Sequence, residues 1–113
     1  MLPEEIKNLS ASETEIILPY QQALEAIEYW RRNNIVCFGW ELILRYPDGN
    51  IGHPGEVIGF DAEMELNEAF SEFVESAAIE CSRSINETFK ELEKIYKKKA
   101  IQLLFCIIPS NQP

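Results

Sequence analysis

The sequence feature that most constrains the fold is a long run of apolar residues spaced by three and four. This spacing is typical of an amphipathic helix. At about 1.5 Å per residue, a single helix over this run would be roughly 46 Å long, which exceeds the width of a compact domain of this size. Two alternatives therefore stay open for residues 61–98: one helix, or two that meet near Ser82-Arg83-Ser84. The apolar positions are Leu66, Phe70, Phe73, Ala77, Cys81, Ile85, Phe89, Leu92 and Tyr96.

A second pattern, with a period of two, predicts a β-strand from Ile35 to Tyr46. The turn sequence Pro47-Asp48-Gly49 follows and predicts a hairpin over 35–53. Prolines and glycines interrupt a longer return strand, so we expect an ordered loop with short extended pieces over 52–60. We expect one face to carry Val36, Phe38, Trp40, Leu42, Leu44 and Tyr46, and the other Cys37, Gly39, Glu41, Ile43 and Arg45.

Three further segments complete the fold prediction. A helix begins near Pro19 and ends near Asn33, a brief strand could precede it at 15–18, and an apolar run predicts a buried strand at 100–108. The sequence thus predicts an α+β fold. In it, a small, predominantly antiparallel sheet packs against an N-terminal helix and a long or kinked C-terminal helical region. The length of 113 residues predicts one domain over 1–113.

The charge balance narrows the class of partner. The chain carries 19 acidic and 10 basic residues, which give a formal net charge of -9. Residues 1–80 hold 16 of the acids and only 4 of the bases. Such a surface repels phosphate backbones and anionic lipids, so direct binding to nucleic acid or membrane is disfavoured. A basic protein is the electrostatic complement.

Several of these acidic residues lie on one stripe of the predicted C-terminal helix, opposite its apolar face. A charged stripe is usually just a solvated face. No lysine or arginine occurs between Arg45 and Arg83, however, and like charges at helical spacing cost stability. An apolar residue on the same stripe would serve as an anchor. We therefore predict a partner-binding face made of Asp61, Glu65, Glu68, Glu72, Glu75 and Ile79.

The sequence offers few groups for catalysis. His53 is the only histidine, and Cys37, Cys81 and Cys106 lie in apolar stretches typical of buried free thiols. We expect no catalytic, cofactor-binding or metal-binding residues, and hence no enzyme. Free thiols, together with the absence of a signal sequence or membrane span, predict a cytoplasmic protein. One alternative is a small ligand-binding domain or enzyme that uses the His53 loop and nearby carboxylates.

The middle third of the chain resembles the small bacterial immunity proteins of polymorphic-toxin systems, of the type called immunity protein 40. The resemblance implies a cytosolic antidote that binds and neutralises a cognate toxin domain. We expect it to act by stoichiometric occlusion of the toxin's active site. The resemblance supplies no contact residues, and residues 61–113 lie outside it. A homo-oligomeric adaptor or homodimer is the remaining alternative. The segments that carry the resemblance are Ala26-Ile27-Glu28-Tyr29-Trp30, Ile35 to Phe38, Gly39-Trp40-Glu41, Tyr46-Pro47-Asp48-Gly49 and Ile51-Gly52-His53.

Overall fold

The fold is a five-stranded sheet with its two long helices on one face, described for residues 2–110 by a computed structural model. It confirms the predicted α+β class. No helix within the described range is long and apolar enough to cross a membrane. The elements in chain order are α1 (Glu4–Lys7), β1 (Ile16–Pro19), α2 (Tyr20–Arg32), β2 (Cys37–Arg45), β3 (Ile51–Gly52), β4 (Gly59–Asp61), α3 (Phe70–Lys97) and β5 (Gln102–Pro109).

Strand β5 lies inside the sheet, between β1 and β2, in the order β1-β5-β2-β3. All pairings are antiparallel. Strand β4 pairs with the beginning of β2, whereas β3 pairs with the end of β2. The apolar sequence of β5 suits this position because both of its faces are buried. Phe105 packs on the helices, whereas Leu104 and Cys106 belong to a cluster on the opposite face. The predicted hairpin and C-terminal strand are confirmed.

A register shift in β2 alters part of the predicted alternation. The pairing with β5 slips between Cys37 and Gly39, which leaves Phe38 as an extra residue. As a result Cys37 is buried in the same cluster as Trp40, whereas Phe38 is 42% exposed. The predicted alternation, which put Phe38 on the face of Trp40 and Cys37 on the other face, is wrong at Cys37, and Phe38 is not buried with Trp40. The cause is a bulge that depends on pairing with a distant strand and leaves no trace in the local period.

Helix α3 runs without a break from Phe70 to Lys97, so the one-helix alternative is the right one. Its 28 residues span about 42 Å, close to the 45 Å longest dimension of the molecule. Ser84, at the suspected break, instead ties the helix to the sheet. Its Oγ accepts a hydrogen bond from Trp40 Nε1 at 2.7 Å and donates one to the Cys81 carbonyl at 3.0 Å.

The start of α3 corrects the acidic stripe. Asp61 lies in β4, and Glu65 and Glu68 lie in the connection that precedes the helix. The helical placement of these three residues is therefore wrong. The cause is β4: pairing with β2 holds the chain extended at Asp61, and the connection then turns before the helix can begin.

The N-terminal segment that precedes β1 contacts the opposite face of the sheet through Ala11. Ala11 packs against a small cluster that contains Ile17 and Ile43. The same segment closes the outer edge of β1, because the Ala11 amide donates to the Ile17 carbonyl at 2.9 Å and the Ile17 amide donates to Ser10 Oγ at 3.0 Å. The core thus extends to both faces of the sheet.

A close approach of β2 and β4 requires glycine on both strands. A Cβ atom on Gly39 would lie 2.3 Å from the Phe60 carbonyl oxygen, and one on Gly59 would lie 2.4 Å from the Trp40 carbonyl oxygen. Both obstacles are backbone atoms, which cannot move aside without separating the strands.

We expect Gly39→Ala to lower the free energy of unfolding by about 1–3 kcal/mol, because the added methyl group overpacks the strand pair. Urea titration followed by circular dichroism would measure the loss. Gly55→Ala is the matched control, since a Cβ atom there meets nothing within 4 Å, and it should change stability by less than about 0.5 kcal/mol. Equal effects at the two positions would contradict this account of the β2–β4 contact.

Candidate partner-binding surface

The predicted surface residues occupy two neighbouring places. Glu72, Glu75 and Ile79 lie on the outer face of α3, where Ile79 is 59% exposed. Asp61, Glu65 and Glu68 lie beside the N-terminal half of the same helix, around a groove. The structure therefore divides the predicted stripe into a helical half and a groove half. The role of either half in partner binding stays a prediction.

The groove lies between the segment that leaves β4 and the first three turns of α3, and has a volume of about 530 Å³. Five of its ten lining residues are acidic and none is basic. Sequence reasoning missed Glu63 and Glu80. Acids alternate at positions 61, 63 and 65, which is typical of an extended chain. This alternation could have indicated Glu63. The lining residues are Phe60, Asp61, Ala62, Glu63, Glu65, Glu68, Phe73, Ser76, Ala77 and Glu80.

The beginning of α3 explains how some of these carboxylates are held together. Glu68 Oε1 accepts a hydrogen bond from the Glu65 amide at 2.8 Å, and its Oε2 accepts one from Ser76 Oγ at 2.9 Å. Glu72 Oε1 accepts from the Ala69 amide at 2.8 Å, and so caps the helix. The positive end of the helix dipole favours negative charge here. The self-repulsion expected from a helical stripe is thus partly offset.

Two of the acids, Glu75 and Glu80, have basic partners that were not predicted from the sequence. Arg31 of α2 reaches across to Glu75 at 3.1 Å while it also pairs with Glu28. Arg83, one turn further along α3, pairs with Glu80. Both contacts are solvent-exposed and contribute little stability, but they reduce the local charge.

The remaining acids carry the uncompensated charge. Within residues 2–110, no lysine or arginine pairs with Asp61, Glu63 or Glu65, nor with Glu68 or Glu72. All five lie at the same end of α3. This end of the molecule therefore carries a concentration of negative charge without basic partners.

The alternative site around His53 has a different character. His53 Nδ1 lies 4.0 Å from Glu41 Oε2, and both side chains are substantially exposed. The described range contains no group of three histidine, cysteine or acidic side chains placed to hold a metal ion. His53, which follows β3, and Glu41, which lies in β2, thus form a solvent-exposed pair.

The three cysteines are buried free thiols, as predicted. Cys106 is paired with Glu41 across β2 and β5, and its thiol donates a long hydrogen bond to Glu15 Oε2 at 3.7 Å. Burial, together with the carboxylates of Glu15 and Glu41, raises the pKa of the Cys106 thiol to about 12. A nucleophilic cysteine requires the opposite shift, because the thiolate is the reactive form.

The chain was compared with protein-family models, with curated proteins and with solved structures, and none of the three comparisons gave a match. The resemblance to immunity protein 40 stays a prediction that depends on short segments between residues 26 and 53.

The raised pKa of Cys106 predicts slow alkylation by iodoacetamide that accelerates throughout the range from pH 8 to 10. The rate should rise about tenfold per pH unit, whereas the same thiol in urea should level off above its ordinary pKa of about 8.5. Glu15→Gln should accelerate the folded-state reaction, since it removes one carboxylate that raises the pKa. Peptide-resolved mass spectrometry would follow Cys106, with Glu13→Gln as the neighbouring control. A rate in the folded protein that levels off near pH 8.5 and does not rise with small additions of urea, so that it does not come from opened molecules, would refute the shift.

Proposed function

We propose that this protein is an immunity protein that binds a basic toxin domain and blocks its active site by stoichiometric occlusion. The observation that carries the proposal is the groove beside α3, whose lining includes five carboxylates and no basic side chain. The resemblance of residues 26–53 to immunity protein 40 supplies the biological role.

The charge distribution supports a protein partner over other macromolecules. A concave surface lined by one sign of charge focuses the electrostatic potential and can raise association rates by about 10- to 1000-fold. Nucleic acids and anionic membranes would be repelled by the same potential. A toxin domain with a basic substrate groove is the complementary surface, and an acidic protein that covers this groove would exclude the substrate.

The proposed mechanism requires no catalytic group in this chain. It uses neither Cys106, a buried thiol, nor His53, an exposed imidazole. We place the protein in the cytoplasm, where a reducing environment keeps free thiols such as its three cysteines unpaired. The toxin would be neutralised there by the same or a sibling cell.

Charge reversal at the groove tests the proposal. In Glu63→Lys/Glu65→Lys, neither altered side chain caps α3 or forms an ion pair within the described chain, so the fold should be retained. We expect association with the toxin domain encoded beside this gene to slow by about tenfold or more at low salt and its salt dependence to flatten. Stopped-flow or surface plasmon resonance at several salt concentrations would measure both effects.

The matched control is Glu25→Lys/Glu91→Lys, which changes two exposed acids away from the groove. Both double variants raise the net charge by four, from -9 to -5, so a general charge effect would act equally on them. Co-expression with the toxin domain should protect growth for the wild type and the control. Absence of binding and protection with every neighbouring candidate toxin would refute the proposed function.

A further inference from the structure

Four large apolar side chains are exposed at the end of the molecule where α3 begins. Leu66 is 91% exposed, and Phe70 and Met64 are each 49% exposed. Phe38 is 42% exposed and its ring lies near that of Phe73, one turn after Phe70. We call the four exposed residues the apolar patch. Patches of this kind on a protein surface usually mark an interaction site.

The patch exists because the apolar stripe of α3 is longer than the core that it covers. Phe73, one turn after Phe70, is buried, and its ring centroid lies 6.3 Å from that of Phe38. Phe70, the first residue of the helix, continues the same stripe but is 49% exposed. Leu66 lies in the turn that leads into the helix, where no other element of the described chain covers it. The helix thus offers an unpartnered apolar end.

The surrounding charge decides what can cover this end. Five acidic residues alternate with Met64, Leu66 and Phe70 along the chain and lie at the same end of α3. They are Asp61, Glu63, Glu65, Glu68 and Glu72. A second copy that docked through the same patch would bring two such sets of carboxylates together, and like charges that face each other across an interface oppose association. Phosphate-bearing surfaces would be repelled for the same reason. Only a cationic apolar partner satisfies both features.

We propose that the apolar patch docks a segment of the partner protein that presents apolar side chains flanked by lysine or arginine. The apolar side chains cover Leu66 and Phe70, and the cationic groups reach the carboxylates of the groove. Glu68 and Glu72 are already held by hydrogen bonds, so little side-chain freedom is lost when they are bound. This inference rests on the proposed function and names the chemistry of the partner segment.

The test uses the full chain and a synthetic Leu/Lys amphipathic peptide of about 18 residues, long enough to form a helix. The comparison peptide is an oligolysine of equal charge. Calorimetric titration should show that the Leu/Lys peptide binds and that Leu66→Ser/Phe70→Ser weakens it by about tenfold or more. Oligolysine should bind more weakly and should not distinguish this variant from the wild type.

Ile95→Ser provides the matched control, because Ile95 is a 53% exposed apolar residue near the other end of α3. It should leave affinity for the Leu/Lys peptide within about twofold of the wild type. Leu66→Ser alone serves as a second variant, since a side chain so exposed contributes little to folding. Thermal melting of each variant would verify the fold.

Four results would overturn the docking surface. They are no binding of the Leu/Lys peptide, equal affinity for oligolysine, equal loss in Ile95→Ser, and a dimer of the protein alone that Leu66→Ser dissociates in sedimentation. Peptide binding at the patch without toxin neutralisation would support the docking surface and contradict the proposed function. Neutralisation that is insensitive to Leu66→Ser/Phe70→Ser would do the reverse.

Discussion

The contact between Trp40 and helix α3 is the constraint on which the rest of the structure depends. Trp40 is buried with its ring edge-on to Phe105 at 5.4 Å, and its indole N–H is satisfied only because Ser84 faces it. A buried indole without that partner would lose a hydrogen bond that water supplies in the unfolded chain. This requirement fixes the rotation of α3 about its axis. Once it is fixed, Phe73 must point inward and Glu72 outward, so the character of the exposed helix face follows from one contact near the middle of the helix.

The acidic groove depends in turn on a close strand pair. Gly39 and Gly59 let β4 approach β2, and the chain leaves β4 beside the first turns of α3. The connection and the first turn of α3 thus place carboxylates at the positive end of a helix dipole. The Glu65 amide and the Ser76 hydroxyl hold Glu68 there, and the Ala69 amide holds Glu72. Folding and charge are coupled here. The same carboxylates that cap or precede the helix give the groove its potential, so a surface suited to binding costs the fold less than an isolated acidic stripe would.

Sequence periodicity was sufficient where one element decides its own structure. The three- and four-residue spacing predicted α3, and the uninterrupted apolar run predicted β5, because each pattern reflects burial along a single segment. The pattern failed where contacts with distant segments determine the local structure. Asp61 fits a helical wheel as well as it fits a strand, and only pairing with β2 selects the strand. The bulge at Phe38 depends on the register with β5, and the pairing of Arg31 with Glu75 depends on how two helices cross. Three of the five acids that line the groove, Asp61, Glu65 and Glu68, were found from the sequence, whereas Glu63, Glu80 and the groove itself were not.

The position of β5 has a consequence for the behaviour of the chain at high concentration. Residues 103–108 are all apolar and uncharged, which is the composition most prone to pair with identical segments in cross-β aggregates. In the folded protein this segment has no free edge, since β1 and β2 flank it on both sides. The outer edge of β1 is closed in turn by Ser10 and Ala11, and the strands at the far edge are only two and three residues long. The sheet thus sequesters its most self-associating sequence and leaves to solvent only edges too short to template a neighbour.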